Sequence, residues 1–285
     1  MTTMLAMATD RVGPDATLSP HRLSVKEPGD GEVLIKVKAA AVNPADLGMV
    51  AGRYRWYDEL RLPLVPGYDV AGVVVDGEWE TGAAVIASTG HSRTQVGGYA
   101  EYVTLPASYL APAPANLDWA EAATLPLAGI TALQALELFD LRPGQTLLVN
   151  GPRGAIGRFA VELARRAGVT VFEATPVAEE VDAALDVVGG PRARQAFAAV
   201  RDGGAYVTTV PEFWVPGGQF TADRGITPQI VRAEPGGARL ETLSRAAEAG
   251  DLTASVGKTL PLGLAQEALD LLAARSVRGK LVLLP

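Results

Sequence analysis

The chain has 285 residues, of which 48% are apolar and 20% charged, and it carries a net charge of −7 with no cysteine. This length allows a substantial core and two domains. The lack of cysteine excludes disulfides, thiolate metal sites and cysteine nucleophiles, and the negative charge argues against nucleic acid or an anionic membrane as the main partner.

Metal binding and targeting are also constrained. Only His21 and His91 can supply imidazole, and they lie far apart, so we expect no metal site. The start, "MTTMLAMATD", has no basic region followed by an apolar core, and the apolar runs are too short to span a bilayer. We therefore expect a cytoplasmic globular protein with no membrane partner.

The first third of the chain has β-strand character. Residues 32–42, "EVLIKVKAAAV", alternate apolar and charged side chains and then turn apolar, as a strand entering a core does. "VNPADLGMVAGRY" predicts a short helix or loop, and "PLVPGYDVAGVVVDGEWETGAAVIAS" predicts short strands of an antiparallel barrel. A further strand and a proline-rich exit follow in "GGYAEYVTLPASYLAPAP", so we place a domain boundary after residue 117.

From residue 118 the pattern becomes α/β. "LDWAEAATLPLAGITALQALELF" has helical spacing, "QTLLVN" is a short buried strand, and residues 154–167 predict an amphipathic helix. Three more apolar strands follow in "VTVFEA", "ALDVVG" and "AYVTTV", with a predicted helix, "RARQAFAAVRDGG", between the last two. Repeated β-α-β units with parallel-strand runs indicate a doubly wound parallel sheet. Two helices and a final strand complete the chain.

The turn "NGPRGAIG" lies between the first strand of this sheet and the next helix. Glycine there permits a tight turn and lets a pyrophosphate approach the N–H groups of the helix start. The spacing is GxxGxxG, and glycine also serves close helix–strand packing, but the strand–turn–helix context favours phosphate binding. Pro152 has no N–H, so the candidate donors are Arg153, Gly154, Ala155 and Ile156.

The end of the second strand would select the nucleotide. Glu173 stands about 20 residues beyond the first glycine, where an acidic ribose ligand is usual, and is equally suited to a solvent-facing position. Arg153 would favour an additional phosphate, although an exposed arginine near a helix start needs no special purpose. The residues do not distinguish NAD from NADP.

The crossover after this strand is short. A helical crossover between parallel strands needs at least about 10–12 residues, whereas only residues 175–180 are available here. One helix–strand–helix segment of the usual six-strand order is therefore missing, and with it the edge strand. In that order the missing segment walls the adenosine half of the cofactor.

Several segments, taken together and in order, carry a family resemblance: "AAAVNPADLGMVAGRY", "LPLVPGYDVAGVV", "GGYAEYVTLPA", "EAATLPLAGITALQAL", "NGPRGAIG", "VDAALDVVGG" and "VRGKLVLL". The chain resembles the zinc-independent medium-chain dehydrogenase/reductases, in the quinone oxidoreductase and enoyl reductase branch. This resemblance implies a GroES-like β-barrel domain of residues 1–117 and 237–285, and a truncated Rossmann domain of residues 118–236. In the family, the shortened segment carries side chains for the adenosine ribose and 2′-phosphate.

The resemblance also implies roles for individual residues. Asn43 would bond near the nicotinamide ribose and line the substrate pocket. With Arg153 from the turn, the predicted cofactor-binding residues are Asn43, Thr131, Arg153, Gly154, Ala155, Ile156, Gly189, Val210, Pro211 and Lys280.

Substrate contacts are predicted from aromatic residues. Tyr54, Trp56 and Phe213 are candidate apolar walls for a substrate, or else loop aromatics that cover a core. Asn43 and Tyr54 are the candidate catalytic residues, with water or a tyrosine as proton donor. Asp69 is expected to be structural, bonding backbone in its turn.

Three functions are compatible with these features. The leading hypothesis is a metal-free reductase that passes a hydride from NADPH to an enone, enoyl or quinone small molecule, with NADH as the alternative cofactor. The second is a family member that has lost the cofactor and binds, cyclises or isomerises a small apolar metabolite. The third is a non-catalytic interaction protein. A homodimer is expected from the resemblance.

Overall fold

A computed structural model describes residues 2–53, 60–173, 179–210 and 222–285. The chain divides into two compact units. Unit 1 comprises Met1–Leu127, Pro235–Ala249 and Ala254–Pro285, and unit 2 comprises Ala128–Glu234 and Gly250–Thr253. Residues 118–127 thus group with unit 1, whereas the sequence placed them in the second domain.

Unit 1 is built mainly from strands. Its strands are β1 (Thr3–Ala8), β2 (Ser19–Ser24), β3 (Glu32–Ala41), β4 (Asp69–Gly77), β5 (Ala84–Ser88), β6 (Tyr102–Pro106), β7 (Leu110–Pro112), β13 (Val256–Pro261) and β14 (Lys280–Leu284). Its helices are α1 (Pro44–Val50), α2 (His91–Thr94), α3 (Trp119–Ala122), α7 (Gly237–Glu248) and α8 (Ala265–Ala273). Strands β1 and β2 form a separate antiparallel pair.

The main sheet of unit 1 has the order β13-β14-β3-β4-β5-β7, and β6 also pairs with β3. Strand β3 confirms the prediction from alternation, because Val33, Ile35 and Val37 are buried on one face of it. The C-terminal strand β14 pairs with the end of β3, with Val282 opposite Ala41. The sheet of unit 1 therefore combines segments from both ends of the sequence.

Unit 2 alternates strands and helices. Its elements are α4 (Pro126–Phe139, which begins in unit 1), β8 (Thr146–Asn150), α5 (Ala155–Arg166), β9 (Thr170–Phe172), β10 (Val181–Asp186), α6 (Gly190–Ala198), β11 (Val200–Thr208) and β12 (Gln229–Ile230). The strands are parallel, in the order β12-β11-β10-β8-β9. The doubly wound sheet that the sequence predicts is confirmed.

Strand β9 lies at the edge of this sheet, next to β8. Only eight residues, 173–180, separate the end of β9 from the start of β10. That length is below the roughly 10–12 residues of a helical crossover. Within the described part of the chain, the outer edge of β9 pairs with no strand, so the missing edge segment is confirmed.

Two predicted helices have different limits in the structure. The predicted helix "RARQAFAAVRDGG" is shorter, because α6 ends at Ala198 and β11 already begins at Val200, which pairs with Val181. The predicted helix from residue 118 is divided into α3 and α4 because Pro126 cannot donate a backbone hydrogen bond. None of the described helices has the length and apolarity needed to cross a membrane.

Candidate functional site

The glycine turn follows β8 in unit 2. Gly151 has φ +99°, and a side chain there would collide with Val187 and Val188, so this position requires glycine. The N–H of Gly154 donates to Gly151 O at 3.2 Å, which closes the turn. Of the predicted donors, Gly154 is therefore already engaged within the turn.

The first turn of α5 presents the remaining donors. The N–H groups of Ala155, Ile156 and Gly157 donate to no described residue, as expected for the first residues of a helix. The N-cap, Gly154, has no side chain that could cap them, and its environment is open: an added Cβ would meet only Gly151 O, at 3.6 Å. Free N–H groups at the positive end of a 12-residue helix form a suitable site for a pyrophosphate.

Gly157 has a different function in the same turn. A Cβ at this position would lie 2.1 Å from Gly151 O and 2.8 Å from its carbonyl carbon. The helix therefore approaches the turn more closely than any residue with a side chain allows. Of the two roles that the sequence left open for these glycines, close packing is observed at Gly157, and Gly154 leaves the start of α5 accessible.

A buried carboxylate joins the carboxyl ends of three strands in unit 2. Asp186 at the end of β10 accepts hydrogen bonds from Asn150 Nδ2 at 2.7 Å and from Thr208 Oγ1 at 3.1 Å. It also accepts from the N–H groups of Val188 and Gly189, at 3.1 and 2.9 Å. Ligands of open α/β sheets bind at this edge, so Asp186 fixes the loop there. Asp186 was not predicted from the sequence, although an Asp after the apolar run "AAL" is a usable signal.

The other predicted residues of unit 2 are placed as follows. Thr131 is buried on α4, and Gly189 has φ +78° and caps α6. Val210 follows β11, where its N–H donates to Thr208 Oγ1 at 3.0 Å. Four predicted residues lie outside the described part of the chain: Tyr54, Trp56, Pro211 and Phe213.

Unit 1 brings three predicted residues together in a buried cluster. The Asn43 side chain donates from Nδ2 to Asp69 Oδ2 at 2.8 Å and to Ala41 O at 3.2 Å. Lys280 Nζ donates to Asn43 Oδ1 and to Asp69 Oδ2, the latter at 3.0 Å. Asn43 Oδ1 can still accept one further hydrogen, and the Lys280 ammonium can still donate one.

Asp69 connects this cluster to the backbone. Its Oδ1 accepts from the N–H of Leu127 at 2.5 Å, while Oδ2 accepts from Asn43 and Lys280. Asp69 is fully buried, and its ion pair with Lys280 is nearly so. The backbone bond agrees with the structural role expected for Asp69, although its backbone partner lies on α4 and outside its own turn.

A second buried acid, Asp46, lies beside the cluster. Its Oδ2 accepts from the N–H of Asn43 at 2.8 Å and from the hydroxyl of Tyr99 at 3.0 Å. Its Oδ1 is buried and has no hydrogen-bond partner among the described residues. Burial and, to a smaller extent, the nearby Asp69 raise the pKa of Asp46 to about 7, against the opposing hydrogen bonds from the Asn43 N–H and Tyr99. Burial, followed by the charge of Asp46, also raises the pKa of Tyr99.

Asp46 and Tyr99 were not predicted from the sequence. The spacing of Asn43 and Asp46 is a usable signal, since an acid at the third position of a helix often accepts from the N-cap N–H. Tyr99, by contrast, is 53 residues away in sequence from its partner, and no local pattern connects the two.

The cluster of unit 1 lacks the free ligands that a zinc ion needs. Asn43 Oδ1 and Asp69 Oδ2 both hold the ammonium of Lys280, so the cation position between them is already filled by a side chain. Over the described ranges, no group of three His, Cys, Asp or Glu side chains is arranged to hold a metal ion. These residues do not fit zinc. The turn before α5, in contrast, fits a dinucleotide, because its free N–H groups are accessible and uncapped.

The fold therefore combines a strand-rich unit with a parallel sheet whose strand β8 is followed by a glycine turn with free N–H groups. Residues 29–115 match the model of the alcohol dehydrogenase GroES-like domain, and residues 162–283 match that of the zinc-binding dehydrogenase domain.

Similar proteins include a probable zinc-binding oxidoreductase, mitochondrial, of Arthroderma benhamiae, which is 30% identical over 89% of this chain and 88% of the relative. An NADPH-dependent alkenal/one oxidoreductase, chloroplastic, of Arabidopsis thaliana is 35% identical over 61% of this chain and 47% of the relative. The chain spans about half the length of several other curated relatives. Among solved structures, a quinone oxidoreductase from Coxiella burnetii has a TM-score of 0.87 at 25% identity, covering 100% of both chains.

The chain belongs to the medium-chain dehydrogenase/reductase superfamily. The predicted resemblance to this superfamily is confirmed, and so is the combination of a GroES-like domain with a parallel α/β sheet.

Proposed function

We propose that this protein is a metal-free reductase that uses NADPH to reduce the activated double bond of an enone or enoyl compound, or a quinone. The observation that carries the proposal is the turn 151–157, where a helix start presents uncapped N–H groups at the ligand-binding edge of a parallel sheet. Relatives named as an alkenal/one oxidoreductase and as quinone oxidoreductases support the substrate class. The name of the first supports NADPH.

In this proposal the bound nicotinamide supplies a hydride, and the chain binds, orients and shields the reacting molecules. Ala155 and Ile156 donate backbone hydrogen bonds to the pyrophosphate. Gly189 and Val210 lie after strands β10 and β11, at the carboxyl edge of the sheet where the nicotinamide half would lie. Asp186 holds that edge in place through the N–H of Gly189.

The cluster of unit 1 would orient the ribose next to the nicotinamide. Asn43 Oδ1 retains a lone pair that can accept from a ribose hydroxyl, and Lys280 Nζ retains a hydrogen that can be donated to one. The Asp69 carboxylate holds both side chains in these orientations. Tyr54 is proposed as a proton donor to the enolate and, with Trp56 and Phe213, as part of the substrate wall. Thr131 and Pro211 are proposed to contact the nicotinamide end.

One specific observation favours the second candidate, a cofactor-free enzyme that isomerises or cyclises a small apolar metabolite. The link between β9 and β10 has only eight residues, and in relatives that region helps to hold the adenosine. Loss of that wall would weaken dinucleotide binding. The two candidates therefore differ in whether the turn before α5 still binds a dinucleotide.

The test is titration of the purified protein with NADPH and NADH, followed by nicotinamide fluorescence and by thermal shift, with turnover of small enones and quinones measured in parallel. We expect saturable micromolar binding and consumption of NADPH in the presence of a substrate. No binding up to millimolar concentration would reject the reductase and favour the cofactor-free enzyme. Size-exclusion chromatography with light scattering tests the homodimer that we also propose.

A matched pair of variants locates the binding site. Gly154→Asp places a negative charge against the pyrophosphate and should abolish NADPH binding. Gly154→Ala should retain most of the binding, because its Cβ makes only an ordinary contact with Gly151 O at 3.6 Å. Unchanged affinity in Gly154→Asp would show that the dinucleotide does not bind at this turn.

A further inference from the structure

A surface cavity of about 350 Å³ lies beside the glycine turn in unit 2. Arg153 from the turn, Arg158 and Arg165 from α5, and Glu173 after β9 line it. The volume lies within the range of about 300–1,000 Å³ that is typical of small-ligand sites. Because Glu173 stands where the adenosine ribose is usually bound, the cavity is positioned for that half of a dinucleotide.

The charged groups of the cavity are only partly paired. Arg165 donates to Glu173 at 2.6 Å, and Glu162 accepts from the N–H of Thr253 at 3.1 Å. The side chains of Arg153 and Arg158 make no hydrogen bond or ion pair with any residue described by the structure. Three guanidinium groups and two carboxylates leave the cavity with a net positive charge, and two complete sets of guanidinium donors are available to a ligand.

The ion pair of Glu173 with Arg165 bears on whether NADH or NADPH fits the cavity. A free carboxylate at this position would accept from the 2′-hydroxyl of NADH and repel the 2′-phosphate of NADPH. Here Arg165 neutralises that carboxylate. The planar donor groups of the two unpaired arginines match a phosphate, which can accept paired hydrogen bonds from a guanidinium.

We propose that Arg153 and Arg158 bind the 2′-phosphate of NADPH and so determine the preference for NADPH over NADH. These arginines stand on the turn and on α5, and they take over a function of the segment that is missing between β9 and β10. The inference rests on the proposed function in that it requires a dinucleotide at the turn 151–157. The arginines act as specificity-determining residues and take no part in hydride transfer.

The test uses nucleotide fragments that lack the nicotinamide, namely 2′,5′-ADP and 5′-AMP, with affinities measured by isothermal titration calorimetry on the full chain. The native protein should bind 2′,5′-ADP at least about tenfold more tightly than 5′-AMP. Arg153→Ala and Arg158→Ala should each weaken the binding of 2′,5′-ADP by about 10- to 100-fold, because hydrogen bonds to a charged group are lost. The same variants should weaken the binding of 5′-AMP by less than about twofold.

Arg166→Ala is the matched control. Arg166 is on the same helix and carries the same charge, but it pairs with Asp251 and does not line the cavity. Its removal should leave both affinities unchanged, because its side chain is exposed outside the cavity and its charge is largely screened by salt. Arg153 is exposed and unpaired, so Arg153→Ala should fold normally.

Several outcomes would overturn the inference: equal affinity of the native protein for the two fragments, an equal loss for both fragments in the arginine variants, or the same loss in Arg166→Ala. Inorganic phosphate binding as tightly as 2′,5′-ADP would show a free-phosphate site. Failure of the proposed function looks different, since NADPH would then bind with the predicted arginine dependence but reduce no enone or quinone.

Discussion

In unit 1 the candidate site consists of buried charged side chains, whereas in unit 2 it is the turn 151–157, which presents backbone N–H groups. Asp46, Asp69 and Lys280 bring two acids and one ammonium into the interior, and one carboxylate oxygen of Asp46 remains without a partner among the described residues. The turn 151–157 buries no charged side chain. Burial of charge makes a region sensitive to pH and to loss of a partner, while a backbone turn is sensitive mainly to added bulk.

The largest effect is expected from removal of the only ammonium in the cluster of unit 1. Lys280→Met leaves Asp69 buried without its cationic partner and should lower the free energy of unfolding by about 3–5 kcal/mol. Urea denaturation at neutral pH measures this loss in the free energy of unfolding. The double variant Lys280→Met/Asp69→Asn should recover much of the loss, because no unpaired charge remains. A loss below about 1 kcal/mol in the single variant would show that water reaches Asp69.

The next effect concerns the pH dependence of stability in unit 1. Burial raises the pKa of Asp46 from 3.8 to about 7. The contribution of its protonated form to the free energy of unfolding is therefore fully present below pH 3.8 and is lost as the pH rises towards 7. Burial lowers the pKa of His91 from 6.5 to about 4, against its bond to Val65 O. The contribution of neutral His91 to the free energy of unfolding is present above pH 6.5 and is lost as the pH falls towards 4. Between about pH 4.5 and 6.5, Asp46 makes the free energy of unfolding fall with rising pH, whereas His91 makes it rise.

Asp46→Asn separates these two slopes. The variant removes the proton that Asp46 holds in the folded state, so its stability relative to the native protein should rise by about 2–3 kcal/mol from pH 4.5 to 6.5, at 1.36 kcal/mol per pH unit. Urea denaturation across this range is the measurement. Parallel curves for the two proteins would show that folded Asp46 is ionised throughout.

The smallest effect is a comparison of two glycines in unit 2. Gly157→Ala places a Cβ 2.1 Å from Gly151 O, so the turn must shift, and a cost of about 1–3 kcal/mol is expected from such overpacking. Gly154→Ala should lower the free energy of unfolding by less than about 1 kcal/mol, because alanine is a poorer N-cap than glycine. Thermal unfolding of the two variants tests this. Equal midpoints would mean that α5 can move away from the turn without cost.

The sequence predicted those features that depend on local pattern. Alternation located β3, and glycine spacing located the turn before α5. The short link before β10 followed from counting residues. The contents of the buried cluster were only partly predictable: resemblance suggested Asn43 and Lys280, but their bonds to Asp69 join positions 26 and 211 residues apart. Such contacts are determined by packing of the whole unit, which single-sequence periodicity does not contain. The same reason explains why Asp46 and Tyr99 were not found.

The pairing of β14 with β3 has a consequence for synthesis of the chain. Lys280 stands at the first position of β14, about 150 residues after the first segment of unit 1 ends at Leu127. At roughly 5–20 residues per second, a ribosome needs about 8–30 s to make this interval. All of unit 2 is translated during that time. A nascent chain therefore holds Asp69 without its cation for many seconds, and the parallel sheet can form before the β-sheet that precedes it in the sequence is complete.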